Sequence, residues 1–591
     1  MRAQVRPAPG LQSVKPRCSL VMEPWSRHLE GRVGAGRNEQ HHALLIEAKG
    51  VQRYIFAAGP LRDLIGASDL VHTIATLDGD DLVGEVLAAL GLTPGTDIVI
   101  SRRASGAVSL HGPRETLARV RNQLRLAIMT TRPGLKLADS FGTGESPMAA
   151  LDDAYRNGSG LRVNLAAGVL PLGRPPMLVA PETGMPATGQ ATYRGRGGAE
   201  GDTRLLDHIT GPHRRRGDAL QTALERGSMD GVAARFDGRP RDNRRLVYPR
   251  NFDEDDTLAN PRFPWRNGSD RRIAIVHIDL SGLGEAYQQK GGRSPDGNME
   301  LARAIEAAIL GAVQAANHEV LQPAAYERTI GTFVQAIVPA RPLVIGGDDI
   351  TVLVRADLAL AFTMRALVEI ETRTAADAEV GPLSAGAGIA IAGASMPFLH
   401  LNALAESLCT HAKKIAKAVP RAGGEAWPSA LAFHVQTATE AEDYGQILKT
   451  LGDPTMLLRT ANPYGVGARD LGRPSVDALL ALAAAIAGLP GASGALRGIE
   501  AVLAEGGTAR ADELWRNWRR AAARRDPAGL AKVDQALKAT GVDAIDEGRV
   551  SIARADRTTA LFDALRLVDL GAAEARGAPA PVEPMPAEKA A

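Results

Sequence analysis

Two stretches of the chain carry acidic residues that could hold a metal ion. Asp279 ends an apolar, strand-like run, and Asp348 and Asp349 directly follow Gly346-Gly347. Carboxylates gathered without a basic partner repel one another, and a divalent cation removes that repulsion. Ligation by oxygen alone suits Mg²⁺ or Mn²⁺ rather than zinc. Enzymes of phosphoryl and nucleotidyl transfer use carboxylates that hold two such ions next to a space that admits a phosphate group.

The two glycines of this motif have a separate use. Because glycine has no Cβ, a phosphate could lie against the backbone at Gly346 and Gly347. A polar hairpin without any function has the same composition, since Asp-rich turns between apolar strands are common. The position of Asp279 at the end of an earlier strand favours the metal site.

The segments around the three acids predict a ferredoxin-like α/β unit, in the order strand, helix, strand pair, helix, strand. The predicted segments are strand 272–280, helix 298–317, strands 343–345 and 350–354, helix 358–373, strand 383–392, helix 400–418 and strand 430–435. In this fold the first strand and the following hairpin are neighbours, so we expect the three carboxylates to converge at one edge of the sheet.

The same order occurs once before in the chain and predicts a duplicated fold. The earlier segments are strand 43–48, helix 51–57, strands 97–101 and 107–110, helix 114–130 and strand 161–170. Between the two units the periodicity fades, and we predict an irregular connector with a helix around 218–226. The basic run His213–Arg216 in this connector is expected to be solvated surface, because charge runs usually are.

Length and composition set the wider organisation. The chain has 591 residues and a net charge of +2, which excludes a histone-like polybasic protein. The predicted organisation is a disordered leader at 1–40, a first domain at 41–182, the connector at 183–269, a second domain at 270–469, a helical C-terminal domain at 470–570 and a disordered tail at 571–591. Met22 is an alternative start.

Two cysteines, Cys18 and Cys409, exclude a disulfide framework and a four-thiolate zinc site. Cys409 is expected to be a small buried hydrophobe. No apolar run is long enough to span a membrane, and the N-terminus lacks the apolar segment of a secretory signal. We therefore expect a soluble cytoplasmic protein with no membrane partner.

Several motifs, in the same order along the chain, resemble the large polymerase–cyclase subunit of type III CRISPR effector complexes and its stand-alone bacterial relatives. That family carries two ferredoxin-like palm domains related to GGDEF and adenylyl cyclase domains, and its second palm bears Gly-Gly-Asp-Asp. The matching segments are 49–56, 61–68, 278–282, 346–349, 383–392, 405–413 and 460–464.

The resemblance implies that this chain converts ATP into cyclic or linear oligoadenylate signals in antiviral defence. It implies that two Mg²⁺ or Mn²⁺ ions are held by Asp279, Asp348, Asp349 and a carbonyl near Leu280. One ion would activate a ribose 3′-hydroxyl, and the other would stabilise charge on the α-phosphate and the departing pyrophosphate. The nucleotide-binding residues implied by the resemblance are Gly346, Gly347, Ser281, Gly282 and Lys413.

Lys413 is the candidate for neutralising a triphosphate, although Lys413, Lys414 and Lys417 could equally form a solvated helix face. Asn462 to Tyr464 could line a base pocket or could simply pack. The partners implied by the resemblance are guide or target RNA, small type III effector subunits, and a downstream effector that senses the product.

The departures from the family pattern restrict the expected activities. Residues 104–107, Ala-Ser-Gly-Ala, stand where acids would be in the first palm, so that palm should be catalytically silent. No HD nuclease ligands occur, and His41-His42 is taken as incidental. Only a remnant of the family's zinc ribbon remains, at Glu182–Ala187, so no structural zinc is expected.

Two other functions stay open on the sequence alone. The product could be a different nucleotide, such as a dinucleotide or a cycle made from GTP. The chain could also be a non-catalytic palm scaffold that binds RNA and partner subunits, because a fold does not fix a function.

Overall fold

The computed structural model describes residues 40–571 apart from 58, 77–80, 105, 162–177, 193–202, 226–230, 239–244, 250–270, 290–293, 331–332, 347–348, 423–424, 437–441, 454–456, 548 and 551. The predicted leader and tail lie outside the described residues, except for Gln40 and Gly571. The same is true of Cys18, Met22, Gly347 and Asp348.

The first palm is an antiparallel sheet with helices packed against it. Its elements are β1 (His41–Lys49), α1 (Val51–Ile55), α2 (Leu61–His72), α3 (Leu82–Ala89), β2 (Val99–Ala104), β3 (Ala107–His111), α4 (Arg114–Thr131), β4 (Lys136–Gly144) and α5 (Pro147–Leu161). The strand order β2-β3-β1-β4 is that of a ferredoxin-like sheet. The alternating apolar residues of β1 and β3, such as Leu44 and Leu110, pack beneath the helices.

The fourth strand of this palm was mispredicted. The strand that pairs with β1 at this side of the sheet is β4 (Lys136–Gly144), which was not among the predicted strands. Leu161 ends the helix α5, and the rest of the predicted strand lies outside the described residues. The β4 sequence KLADSFGTG has few large apolar residues, and this explains why its periodicity was weak.

The connector is more regular than predicted. Its elements are β5 (Gly189–Thr192), β6 (Thr203–Leu206), α6 (Thr210–Glu225), α7 (Gly231–Asp237) and β7 (Arg245–Val247). Helix α6 packs against α2 at short range, because Gly66 and Gly217 face each other where a Cβ on either would clash with backbone. The expectation of solvated charge at His213–Arg216 is wrong for His213 and Arg214, which are buried in this contact.

The second palm repeats the ferredoxin-like order and extends it. Its elements are β8 (Arg272–Ser281), α8 (Leu283–Gln289), α9 (Pro295–Ala316), β9 (Tyr326–Ile330), β10 (Phe333–Ile337), β11 (Ala340–Gly346), β12 (Asp349–Arg355), α10 (Ala356–Ala376), β13 (Ser384–Gly393), α11 (Phe398–Lys417), β14 (Ser429–Val435), α12 (Tyr444–Thr450), β15 (Gly452–Asp453), β16 (Leu457–Leu458) and β17 (Tyr464–Val466). The main sheet has the order β11-β12-β8-β13-β14-β17. The hairpin β9–β10, which pairs with β7 of the connector, was not predicted.

The two faces of the main sheet are buried by different partners. Side chains alternate along β8, so Ala274, Val276 and Ile278 face α9, α10 and the C-terminal helices. Ile273 and Ile275 face the other way, into a cluster formed with α11 and the first palm. The second palm is therefore enclosed on both sides, and its acids lie on the side shared with the first palm.

The C-terminal region is helical, as predicted, with α13 (Val476–Gly488), α14 (Ala492–Ala504), α15 (Thr508–Arg525), α16 (Pro527–Ala539) and α17 (Leu561–Leu570). Among the described residues, no single helix has both the length and the apolar composition of a membrane span. Helices α13 and α14 have the length and the apolar composition of a span only when they are taken together, and the chain bends by 113° between them. Two ferredoxin-like sheets and this helical region establish the predicted α/β fold class.

Candidate nucleotide and metal site

Asp279 and Asp349 are direct cross-strand neighbours. Strands β8 and β12 pair antiparallel, with Asp349 opposite Asp279 and Thr351 opposite His277. All four side chains belong to the sheet face that is shared with the first palm. The side chains of Asp279 and Asp349 are 37% and 32% exposed, so both acids are partly open to solvent, although Oδ1 of Asp349 is buried.

Lys413 supplies a positive charge to this pair of acids. It lies near the end of α11, and its Nζ donates to Oδ2 of Asp279 at 2.6 Å and to the carbonyl oxygen of Leu280 at 2.8 Å. Like charges placed opposite each other on adjacent strands are destabilising, and the ammonium group offsets that repulsion. The alternative reading of Lys413 as part of a solvated helix face is therefore wrong.

Two glycines of β13 make the approach of Lys413 possible. Gly386 lies beside Asp279 in the sheet, and a Cβ there would lie 2.2 Å from Cγ of Lys413. At Gly388 a Cβ would lie 1.9 Å from the carbonyl oxygen of Ala405 on α11. The Gly-Ala-Gly run of β13 therefore lets α11 lie close to the sheet, so that the lysine stem crosses one strand to reach Asp279.

Cys409 is buried one turn before Lys413 on α11, as predicted. Its Sγ contacts the carbonyl oxygen of Gly386 at 3.3 Å. Burial, followed by the nearby Asp279 carboxylate, raises the pKa of this thiol far above its ordinary value, so it stays protonated. Cys409 is thus a packing residue next to the site.

Asp349 has partners from both palms. Nε2 of Gln52, on α1 of the first palm, donates to Oδ2 of Asp349 at 2.7 Å. Nδ1 of His277 lies 3.3 Å from the other carboxylate oxygen, Oδ1. Neither partner was predicted from the sequence, and Gln52 lies almost three hundred positions away in the chain.

The donors at this edge suit a hard divalent cation. Two carboxylates and the Leu280 carbonyl offer oxygen ligands, and an ammonium cation already contacts two of these three groups. Within the described ranges, no group of three or more His, Cys, Asp or Glu side chains gathers as a metal cluster. Asp348 and Gly347, which are expected to complete the site, lie outside those ranges, whereas Gly346 pairs with Asp349 at the base of the hairpin.

A cleft opens next to this edge at the end of β8. Ser281 and Gly282 form part of its wall, and Gly282 has a φ of +90°, a conformation that favours glycine. The guanidinium of Arg421 lies 3.4 Å from the ring centroid of Trp427 and donates to both carboxylate oxygens of Glu285 at 2.7 Å. The cleft therefore combines an aromatic wall with a charged pair, directly beyond the acidic edge.

The first palm has a different set of residues at the equivalent edge. The register that pairs Asp349 with Asp279 in the second palm pairs Ala107 with Glu47 in the first. The hairpin acid is thus replaced by alanine, while an acid remains on the first strand. Glu47 accepts a hydrogen bond from Nζ of Lys49 at 2.6 Å. Glu47 was not recognised from the sequence, because only the hairpin was compared with the acidic motif.

The segment Thr460–Tyr464 packs and does not line the cleft. Asn462 donates to the carbonyl oxygen of Phe433 at 2.7 Å and to the Tyr444 hydroxyl at 2.9 Å. Tyr464 is fully buried and its hydroxyl donates to Asp563 of α17. The segment therefore ties the second palm to the C-terminal helices.

Comparison with known proteins gives matches at the level of structure only. No known family profile matches the chain, and no curated protein matches its sequence. Among solved structures, the chain is similar to Csm1 in a Csm1–Csm4 cassette in complex with cA4, with a TM-score of 0.44 and 13% identity over 90% of this chain and 70% of that one. A cassette in complex with AMPPNP matches with a TM-score of 0.46 and 13% identity over the same shares.

Csm1 from T. onnurineus also matches, with a TM-score of 0.44 and 14% identity, over 90% of this chain and 69% of that one. Another match is the Csm1–Csm4 subcomplex of the type III-A CRISPR–Csm interference complex. These matches are similarities of fold, over 90% of this chain and at 13–14% sequence identity.

Proposed function

We propose that this chain is a divalent-metal-dependent nucleotidyltransferase that joins ATP into cyclic or linear oligoadenylate, as a signal in type III CRISPR-like antiviral defence. The observation that supports this function best is the cross-strand pair of Asp279 and Asp349, with Lys413 in contact with the first acid. Two partly exposed acids placed opposite each other on adjacent strands repel, so stability alone does not account for the pair.

The residues at this edge have distinct roles in the proposed reaction. Asp279, Asp349 and the Leu280 carbonyl would hold Mg²⁺ or Mn²⁺, with Asp348 as the further expected ligand. A bound divalent ion supplies charge neutralisation for the reacting phosphate and for an attacking ribose hydroxyl. Lys413 would bind the triphosphate as a mobile point charge, moving from Asp279 to phosphate when nucleotide enters.

The cleft at Ser281 and Gly282 would receive the nucleoside. With its phosphates at the acidic edge, the nucleotide would place its base along the end of β8, where Trp427, Leu383 and the Glu285–Arg421 pair line the cleft. Aromatic and apolar surfaces suit the flat face of a base. The choice of ATP rests on the motif resemblance, and a dinucleotide or GTP-derived product is the alternative outcome.

We further propose that the chain acts in the cytoplasm, with guide or target RNA and small type III effector subunits as partners. A separate effector would sense the nucleotide product.

The competing function is a non-catalytic palm scaffold in a type III-like effector complex. One observation favours it: Lys413 already pairs with Asp279 and with the Leu280 carbonyl, a contact that would also stabilise a palm that binds no metal ion.

Purified protein incubated with labelled ATP and Mg²⁺ or Mn²⁺, with and without target RNA, separates these two functions. We expect oligoadenylate and pyrophosphate from the wild type and none from Asp279→Ala or Asp349→Ala. Glu300→Ala, an exposed acid on α9, is the matched control and should keep full activity. Absence of product from the wild type under every condition, with unchanged nucleotide affinity in both Asp variants, would support the scaffold.

A further inference from the structure

Gln52 connects the silent palm with the candidate site of the other palm. Its Nε2 lies 2.7 Å from Oδ2 of Asp349 and 3.2 Å from Oγ1 of Thr351. A carboxylate only accepts hydrogen bonds, so the amide nitrogen is the end of Gln52 that faces Asp349. The contact is a charge-assisted hydrogen bond, which is shorter and stronger than a neutral one.

The position of Gln52 is set by the backbone of the first palm. Gly50 has a φ of +64° and turns the chain sharply from β1 into α1, where Gln52 is the second residue. Behind it, Ile55 is almost completely buried in the apolar cluster that the two palms share. The turn at Gly50 and the buried Ile55 therefore hold the Gln52 amide in place next to Asp349.

The contact between the palms around Gln52 is close and specific. Helix α2 packs on β11, and Leu64 of α2 shares one buried cluster with Leu343 and Leu353 of the second palm. The β11–β12 register shifts between Pro342 and Val344, so the Leu343 carbonyl falls at an irregularity of the ladder. The Ser68 hydroxyl of α2 donates to that carbonyl.

These contacts have a chemical consequence at Asp349. The hydrogen bond from Gln52 engages Oδ2 and restricts rotation of the carboxylate about its χ2 angle, while Oδ1 faces His277. A ligand carboxylate that is oriented by a hydrogen-bond donor binds a metal ion better than a free one, because the orienting entropy is already lost.

We propose that Gln52 is a positioning residue that orients Asp349 for a divalent cation, so that the silent palm completes the site of the other palm. This inference rests on the proposed function, since it assumes that Asp349 is a metal ligand. It assigns the first palm a defined task at the site, although its own hairpin lacks the acid.

The test is Mn²⁺ affinity of the full-length protein, measured by electron paramagnetic resonance, together with the melting temperature without metal. Gln52→Met keeps the length of the side chain and removes the donor. We expect it to weaken Mn²⁺ binding by about ten- to a hundredfold, the usual effect of losing an orienting partner. Gln123→Met, an exposed glutamine on α4, should leave Mn²⁺ affinity unchanged.

A second variant separates orientation from loosening of the contact between the palms. Ser68→Ala removes the hydrogen bond to Leu343 without touching Asp349, and it should lower the melting temperature while Mn²⁺ affinity stays at the wild-type value.

Equal Mn²⁺ binding by wild type and Gln52→Met would overturn the inference while leaving the proposed function intact. A loss of affinity in Ser68→Ala as large as in Gln52→Met would overturn it as well. Failure of the wild type to bind Mn²⁺ would instead contradict the proposed function.

Discussion

The ammonium nitrogen of Lys413 lies 2.6 Å from the carboxylate of Asp279, at the end of the first strand of the second palm. The same nitrogen contacts the Leu280 carbonyl. These are two of the oxygen groups expected to hold a metal ion, so a side-chain cation occupies part of the expected ligand set. Lysine and a divalent ion should therefore compete for Asp279.

Lys413→Met tests this competition. Without the ammonium group the two acids face each other unscreened, so the metal-free protein should be less stable, by about 1 kcal/mol for a partly exposed pair. Mn²⁺ should bind more tightly to the variant, since its competitor is gone, while ATP should bind more weakly. Calorimetric titrations of each ligand would measure both effects, and weaker Mn²⁺ binding would contradict the competition.

Gly386→Ala and Gly388→Ala form a matched pair on β13. The new methyl at Gly386 would lie 2.2 Å from Cγ of Lys413, so the lysine side chain must turn away, and we expect weaker ATP binding with a smaller loss of stability than at Gly388. At Gly388 the new methyl meets the backbone of α11, and overpacking of this kind costs about 1–3 kcal/mol. Denaturant unfolding measures the stability of each variant, and ATP titration measures its affinity for ATP. Equal stability and equal ATP affinity in the two variants would argue against a specific role for Gly386.

Asp563 gives the protein a pH-dependent stability. Burial raises its pKa from 3.8 to about 6, against the opposing effect of the hydrogen bond from Tyr464. The folded state therefore binds a proton here more tightly than the unfolded chain. Stability from this group is full below about pH 4 and is lost as the pH rises to about 6. Asp563→Asn should abolish that component.

Urea unfolding of the wild type and Asp563→Asn from pH 4 to 8 would check this expectation. Asp543→Asn, at an exposed position between α16 and α17, is the control and should keep the wild-type profile. A wild-type slope that persists in Asp563→Asn would show that another group is responsible.

The neighbours Arg214 and Arg215 test whether the basic run His213–Arg216 is structural or forms an exposed surface that could bind nucleic acid. Arg214 is buried and lies 3.5 Å from the buried Asp63, while Arg215 is exposed. Breaking a buried ion pair leaves an uncompensated charge, so Arg214→Met should cost about 3 kcal/mol of unfolding free energy. Arg215→Met should cost almost nothing. Equal effects on stability, measured in denaturant, would contradict the burial of Arg214.

Local sequence patterns predicted most of the second palm. The apolar run ending at Asp279 and the long helix of α11 appear within a few residues of their predicted bounds. These elements have strong periodicity, because one face or both faces are buried in the core. In contrast, most side chains of β4 are small or polar. No apolar periodicity marks this strand, so its position could not be predicted in the same way.

The partners of the candidate site were harder to predict than its acids. The pairing of Asp279 with Asp349 follows from the neighbouring strands of a ferredoxin-like sheet. The contact from Gln52 depends on how two separate sheets pack, and nothing in the local sequence encodes that. The burial of Arg214 has the same origin, since its buried acidic partner, Asp63, lies on α2 of the first palm, whereas its other partner, Asp218, is on the same helix.

The packing of Leu343 and Leu353 against the first palm restricts how this protein can change over evolutionary time. Deleting the first palm, which lacks the hairpin acid, would expose an apolar surface on the second palm. The remaining half would be prone to aggregate. A requirement for solubility is therefore a sufficient reason for the chain to keep its first palm, independently of any role of that palm at the acidic edge.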